Sequence, residues 1–337
     1  MRRTGCLRLH DARQRNAYYG AVNSALKNFT LRLQDFSTFG SGLTRPECVR
    51  ADSQGVWASD DRGGIARVTQ DGVAEVRGEG IFEPNGYSRA PDGAFIVAGL
   101  KDNKVFRIDP SGRTSVLLDN FQGRPLGTVN TAWVDTQGRI WVSMMTRRER
   151  WYDALNSPPD GYILLIEGGR ARIVADQLHL TNEVKVHPSG EYLYGVETLG
   201  KRIFRYPIAA NGDLGKKELF GPADLGFGAL PDGFIFDDDG NVWVTIITRN
   251  GIMIVSEDGG TTTVYEEPKP AAVDALVAAL EQKTASAAHL AACAGDNLTL
   301  PTSLSFGGAD GRTVYVGSLG LSHLMTFRSP VPGLALY

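Results

Sequence analysis

Leu230-Pro-Asp-Gly-Phe-Ile-Phe-Asp-Asp-Asp-Gly-Asn-Val-Trp-Val-Thr245 is the stretch from which the rest of the chain can be read. A polar residue opens an alternating apolar run, an acidic turn closes on glycine, and a second strand carries an aromatic. Asp232 stands eight residues before Gly240, and the same spacing recurs along the chain. It relates Glu47 to Gly55, Asn85 to Gly93, Asn130 to Gly138, Asn182 to Gly190 and Ser303 to Gly311. Each glycine is followed within two to four residues by an aromatic: Trp57, Phe95, Trp141, Tyr192, Trp243 and Tyr315. A further strand follows each pair, as in Lys104-Val-Phe-Arg-Ile-Asp109. Short antiparallel strands repeating roughly every 40 to 50 residues are the mark of propeller blades. The chain therefore reads as all-β, a six-bladed β-propeller. A β-sandwich would not require so regular a repeat.

The repeat assigns residues 29–337 to the propeller and leaves residues 1–28 as an N-terminal extension, in which residues 17–28 could form a short helix or arm. Phe29-Thr-Leu-Arg-Leu-Gln34 alternates like a half-buried strand. It is expected to close the ring by pairing with C-terminal strands, which removes an exposed sheet edge. Two departures from regularity stand out. Residues 146–160 lengthen the third unit's connection, and their Trp151 and Tyr152 either cover a pocket or tuck beneath a polar surface loop. After the fifth unit comes an insertion over about residues 270–294. There Val273, Leu276, Val277 and Leu280 fall at i, i+3, i+4 and i+7 behind Pro270, predicting an amphipathic helix packed on a face of the disc.

Composition narrows the function. With 35 basic and 38 acidic residues the net charge is −3, which offers no long-range attraction for nucleic acid or an anionic membrane. The three cysteines, Cys6, Cys48 and Cys293, have no CxxC spacing, arguing against a disulfide framework and a zinc-thiolate site. The opening residues are basic but lack a signal peptide's apolar run. No stretch approaches the ~18 apolar residues of a membrane helix. A soluble cytoplasmic protein acting on a small molecule is expected. There is no GxSxG elbow and no glycine-rich phosphate loop.

In a propeller the innermost strands surround a central channel, so residues of one phase form a ring. Here the ring is Glu47, Asn85, Asn130, Asn182, Asp232 and Ser303, all oxygen-bearing. The apolar residues two and four places later, such as Val184 and Val186 or Phe234 and Phe236, are expected to fill the channel below. Any one Asn or Asp alone reads as a turn residue bonded to its own backbone. Turn chemistry does not account for a Glu in the same phase, and a ring of carboxylate and amide oxygens suits a hard divalent cation. Calcium fits best; zinc, manganese and magnesium are the alternatives.

Several segments resemble the senescence marker protein 30, gluconolactonase and luciferin-regenerating enzyme family. They are Arg45-Pro-Glu47, Leu180-Thr-Asn182 with Leu193-Tyr-Gly-Val-Glu-Thr198, the 230–245 stretch, Leu300-Pro-Thr-Ser-Leu-Ser-Phe-Gly-Gly308 and Phe327-Arg-Ser-Pro-Val-Pro-Gly333. The resemblance implies a six-bladed propeller holding one divalent metal at the channel mouth. It further implies Glu47, Asn182 and Asp232 as ligands, Asn130 and Asn85 as polar contacts to metal or substrate, and Asp232, or water beside it, as the base. Two positions depart from the sugar-lactonase pattern. Thr128 stands where those enzymes have arginine, and Glu183 where they usually have glycine. Loss of a guanidinium favours a less polar substrate. Glu183 either joins the metal as another carboxylate or faces away, and alternation along a strand favours the latter.

The expected activity is metal-dependent hydrolysis of a lactone or related ester by a cation-activated water at the channel mouth. A metal-assisted lyase, isomerase or condensation catalyst, or a silent metal-holding module, are the alternatives. Trp151 and Thr128 are expected at the substrate. His179, three residues before Asn182, is a candidate for the same mouth, while His187 in the turn His-Pro-Ser-Gly190 is expected in solvent.

Overall fold

Around the opening stretch, strands Pro231–Phe236, Val242–Ile246, Gly251–Val255 and Thr261–Tyr265 pair antiparallel in chain order. The computed structural model describes residues 25–335, and this four-stranded meander recurs through them. Three sheets have this form, and a fourth has three strands in chain order completed by one from near residue 38. A fifth holds eight strands, two such meanders joined by one parallel contact between Thr131 and Gly86, and a two-stranded ribbon at Asn120–Phe121 and Arg124–Pro125 completes the sheets.

The acidic turn and the aromatic belong to one device. Asp237 Oδ1 accepts the N–H groups of Asp239 and Asn241 at 3.0 and 2.9 Å, while Oδ2 accepts the Trp243 indole N–H at 2.9 Å. Asp135 does the same for Gln137, Arg139 and Trp141. One carboxylate thus shapes the turn and satisfies an indole that is fully buried between sheets. His187 takes this place in the fourth unit. Its ring nitrogen accepts the Ser189 N–H at 3.2 Å, and the ring packs edge-on against Phe236 at 5.0 Å, so it is half-buried rather than solvated.

The chain closes as expected but through other residues. Ser37–Phe39 pairs antiparallel with Leu324–Arg328 and completes the last sheet. Residues 29–34 are not a strand. Asp35 Oδ2 captures the Arg32 N–H at 2.7 Å, turning Leu33–Asp35 into a 3-10 helix, a local bond that competes with ladder pairing. Of the N-terminal extension, residues 1–24 lie outside the described residues, and so does most of the helix or arm expected over 17–28. Residues 25–28 form a turn with Leu26 fully buried.

The innermost strands carry the feature that positions the site. Pairing registers shift between Pro84 and Tyr87, Val129 and Thr131, Thr181 and Val184, Pro231 and Phe234, and Pro301 and Ser303. Each shift is a bulge that frees the phase residue from the ladder and re-aims its side chain. It also offsets the alternation below. Val184 and Val186 pack between sheets with Phe204, and Phe234 and Phe236 with Tyr194; none of the four fills the channel. The small cavity under the ring is lined instead by residues one and three places on, among them Thr131, Trp133, Glu183, Lys185 and Ile235. A one-residue offset moves every side chain to the other face.

Side chains of one innermost strand bind the backbone of the next. Ser88 Oγ donates to Ala132 O at 2.9 Å and accepts from Val134 N at 2.7 Å. Ser303 Oγ donates to Glu47 O at 2.6 Å and accepts from Val49 N at 3.0 Å. Strands distant in sequence are thereby drawn together.

The insertion forms helix α1, Pro270–Glu281, and helix α2, Ala287–Ala292. Pro270 is the first residue of α1, and Val273, Leu276 and Ala279 are buried, with Val277 and Leu280 half-buried beside them. The helices share an apolar cluster with Trp151, Tyr152 and Leu155 of the 146–160 loop. Asn156 ties the two insertions together, donating to Ala285 O and accepting from Ala285 N, both at 2.9 Å. Asn156→Ala is expected to cost about 1–3 kcal/mol of local stability by leaving both groups unpaired. Faster hydrogen exchange at the Ala285 amide is the readout, and unchanged exchange would contradict it.

Candidate metal centre

Four bulged residues and Glu47, which precedes its strand, meet in one pocket at the ends of the innermost strands. Glu47, Asn85, Asn130, Asn182 and Asp232 line its floor. The sixth position is Thr302, not Ser303. The strand Pro301–Gly307 is one residue longer than Pro231–Phe236, so counting eight back from glycine stops one residue short. A proline marks the true phase, since Pro46-Glu47, Pro84-Asn85, Pro231-Asp232 and Pro301-Thr302 match. Thr302 Oγ1 donates to Glu47 O at 2.6 Å.

Each floor residue is held in place. Asn182 Nδ2 donates to Thr198 Oγ1 at 3.2 Å, and that hydroxyl donates onward to Pro231 O at 2.8 Å. Asn85 is held at both ends of its amide, donating an N–H to Asn130 O and accepting from the Arg45 guanidinium, both at 3.1 Å. Arg45 was not expected from the sequence as a pocket residue, yet it lines the floor and puts a guanidinium there despite Thr128. Its place in Arg45-Pro-Glu47, two residues before a ligand candidate, was the available signal.

Glu47 Oε2, Asn182 Oδ1 and Asp232 Oδ1 are all buried and have no hydrogen-bond partner. Burial pushes the Glu47 carboxyl well above its ordinary range, and the Asp232 carboxyl adds to this while Arg45 opposes it. Burial likewise raises Asp232 strongly, followed by Glu183, with Asn182 and Arg45 opposing. Three unpartnered oxygens, two of them on carboxyls that cannot both carry charge unaided, are what a hard cation would satisfy. Among the described residues no cluster of three or more His, Cys, Asp or Glu is placed to hold an ion. A site here must add amide oxygen to its two carboxylates, which disfavours a soft metal.

The remaining candidates divide. Trp151 lines the pocket, edge-on to Tyr152 at 5.6 Å. Thr128 does not; its hydroxyl donates to Arg148 O at 3.0 Å and anchors the start of the 146–160 loop. His179 lies in an adjoining groove, its backbone N–H on Glu197 Oε1 at 2.9 Å. Glu183 faces away from the floor into the cavity beneath, ion-paired with Lys185 and accepting the Phe234 N–H at 2.9 Å. Gly233 makes room for it, since a Cβ there would lie 2.9 Å from the Glu183 carboxyl and 2.2 Å from Thr302 O.

A family model described as SMP-30/Gluconolactonase/LRE-like region matches residues 45–278, from Arg45 into α1. The chain belongs to this family. Among relatives of this SMP-30/gluconolactonase/LRE-like chain is a 6-deoxy-6-sulfogluconolactonase of Pseudomonas putida, 25% identical over 229 residues. That match covers 67% of this chain and 65% of the relative, so the chain spans just under two thirds of the relative's length. A gluconolactonase structure from Xanthomonas campestris superposes with a TM-score of 0.65 at 18% identity, covering 92% of this chain and 94% of that one. The calcium-binding regucalcin of Agrobacterium tumefaciens does so with a TM-score of 0.62 at 16% identity, covering 90% and 96%. The fold is that of the family's β-propellers.

Proposed function

We propose that this SMP-30/gluconolactonase/LRE-like protein hydrolyses a lactone at a divalent cation held by Glu47, Asn182 and Asp232, with its meanders arranged as six blades around that site. One observation carries the reading: three buried, unpartnered oxygens from distant parts of the chain share one pocket floor. The lactonase relative supports the reaction class. Calcium is the ion best matched to carboxylate and amide oxygens, and a calcium-binding protein shares the fold.

Bound there, the ion would polarise the ester carbonyl and offset the charge that develops on its oxygen. Asp232 takes a proton from the attacking water and returns it to the ring oxygen as the acyl–oxygen bond breaks, leaving a hydroxy acid. Asn130 accepts the Thr131 hydroxyl at 2.7 Å through Oδ1, which turns its amide N–H groups toward the substrate. Asn85 holds the Arg45 guanidinium over the floor. Trp151 walls off water from one side.

The test is acid release from a lactone panel in a pH-stat, before and after chelation and on adding back calcium, zinc, manganese or magnesium. Release should stop with chelator and return with an ion. Chelator-insensitive release, or none from metal-loaded protein across the panel, overturns the proposal.

A further inference from the structure

Above its floor the pocket changes character. All its polar lining residues sit at or beside the floor, and the walls are apolar: Leu100, Met145, Leu180 and Ile247 from the strand ends, Trp151 from the loop, Leu290 from α2. A polyhydroxylated lactone would find no hydrogen-bond partner along this shaft, and its hydroxyls would be desolvated without return. The shaft does not end blindly. Leu155, Leu230 and Leu276 also line the adjoining groove, where Leu199, Val277 and Leu280 continue the apolar surface and Phe227 stands 62% exposed at the rim. Among the described residues no segment fills this groove.

We propose that the substrate is a lactone bearing an apolar chain, its ring on the oxygen floor and its chain along the leucine-lined shaft into the adjoining groove. This rests on the lactonase reading and specifies its substrate class. Both insertions then serve the site, α1, α2 and the 146–160 loop all contributing to its apolar wall. The occupant of the groove is the substrate's own chain, because the two cavities share their walls.

The experiment uses the full chain and γ-lactones carrying alkyl chains from methyl to octyl, with gluconolactone for comparison. Hydrolysis is followed with calcium present. Binding of the matching lactams, in which an amide replaces the ester, is measured by calorimetry with and without chelator. Affinity is expected to rise about fourfold per methylene, the equivalent of about 0.8 kcal/mol, until the shaft is filled, and to do so with the ion removed as well. Leu290→Asp, at a half-buried wall position, should flatten that slope, whereas Leu219→Asp on an outer strand should leave it as in the parent. A flat slope in the parent, or gluconolactone preferred over every alkyl lactone, overturns this inference while the lactonase reading stands. A steep lactam slope with no lactone hydrolysed overturns the lactonase reading and keeps the apolar chain site.

Discussion

Asp232→Asn is expected to lower lactone hydrolysis by about a thousandfold or more, and in chelator to make the protein more stable than the parent. The two effects have one cause. In the metal-free protein Asp232 is buried near the carboxyls of Glu47 and Glu183, with one oxygen unpartnered. A neutral amide removes that repulsion and can donate, which should raise stability by about 1–3 kcal/mol. With calcium the sign reverses, because the variant loses a ligand charge. The pH dependence follows from the raised carboxyls of Glu47 and Asp232. A carboxyl whose folded pKa is raised takes up a proton on folding. Its contribution is complete below the ordinary carboxylate value of about 4 and is lost as pH rises through the folded value. Metal-free parent should therefore lose stability from mildly acidic pH upward, and calcium, replacing the protons, should remove that decline. Unfolding midpoints across this range, with chelator and with calcium, decide the matter. A variant less stable than the parent in both conditions would mean that the three oxygens were never arranged for an ion.

Much of this was legible because the repeat is written in turns. Asp237 and Asp135 show why the phrase needs its acid, its glycine and its tryptophan together, so counting from the glycine located the innermost strands. Five of the six ring positions followed. Thr302 was misplaced by one because strand length varies while the bulge is tied to the proline, a local geometry that no hydrophobic pattern displays. The same bulges inverted the expected channel filling, placing Glu183 and Lys185 where valines were expected. Arg45 was hidden for a different reason. It belongs to the first repeat but reaches Asn85 of the second, and contacts between repeats leave no mark on spacing. The closing strand was anticipated in kind and missed in position: Leu33–Asp35 is a 3-10 helix capped by Asp35, and Ser37–Phe39 makes the pairing. His179 lines the adjoining groove instead of the floor, although Leu180 and Asn182 beside it line the pocket.

Lys185→Met should be the most destabilising single substitution beneath the site, by about 3–5 kcal/mol. Glu183 and Lys185 are both buried, with side chains 3% and 7% exposed, and each holds the backbone of the neighbouring innermost strand at Phe234. The ammonium also lies 5.0 Å over the Phe234 ring. Methionine keeps the length and the ring contact but strands the Glu183 charge and leaves Phe234 O without its donor. Adding Glu183→Gln should recover much of the loss, since a neutral pair no longer carries an isolated charge and the amide oxygen can still accept from Phe234 N. A double-mutant cycle on chemical unfolding measures this coupling. Additive losses would show that the two side chains act separately through packing. The single variant also bears on the site above. Glu183 already acts on Asp232 through its charge, so removing Lys185 places more negative potential under the floor. Calcium should then bind Lys185→Met more tightly than the parent, and calcium should raise its unfolding midpoint by more. A variant that is destabilised but gains nothing extra from calcium would detach the buried pair from the ion site and leave it a strand-to-strand clamp alone.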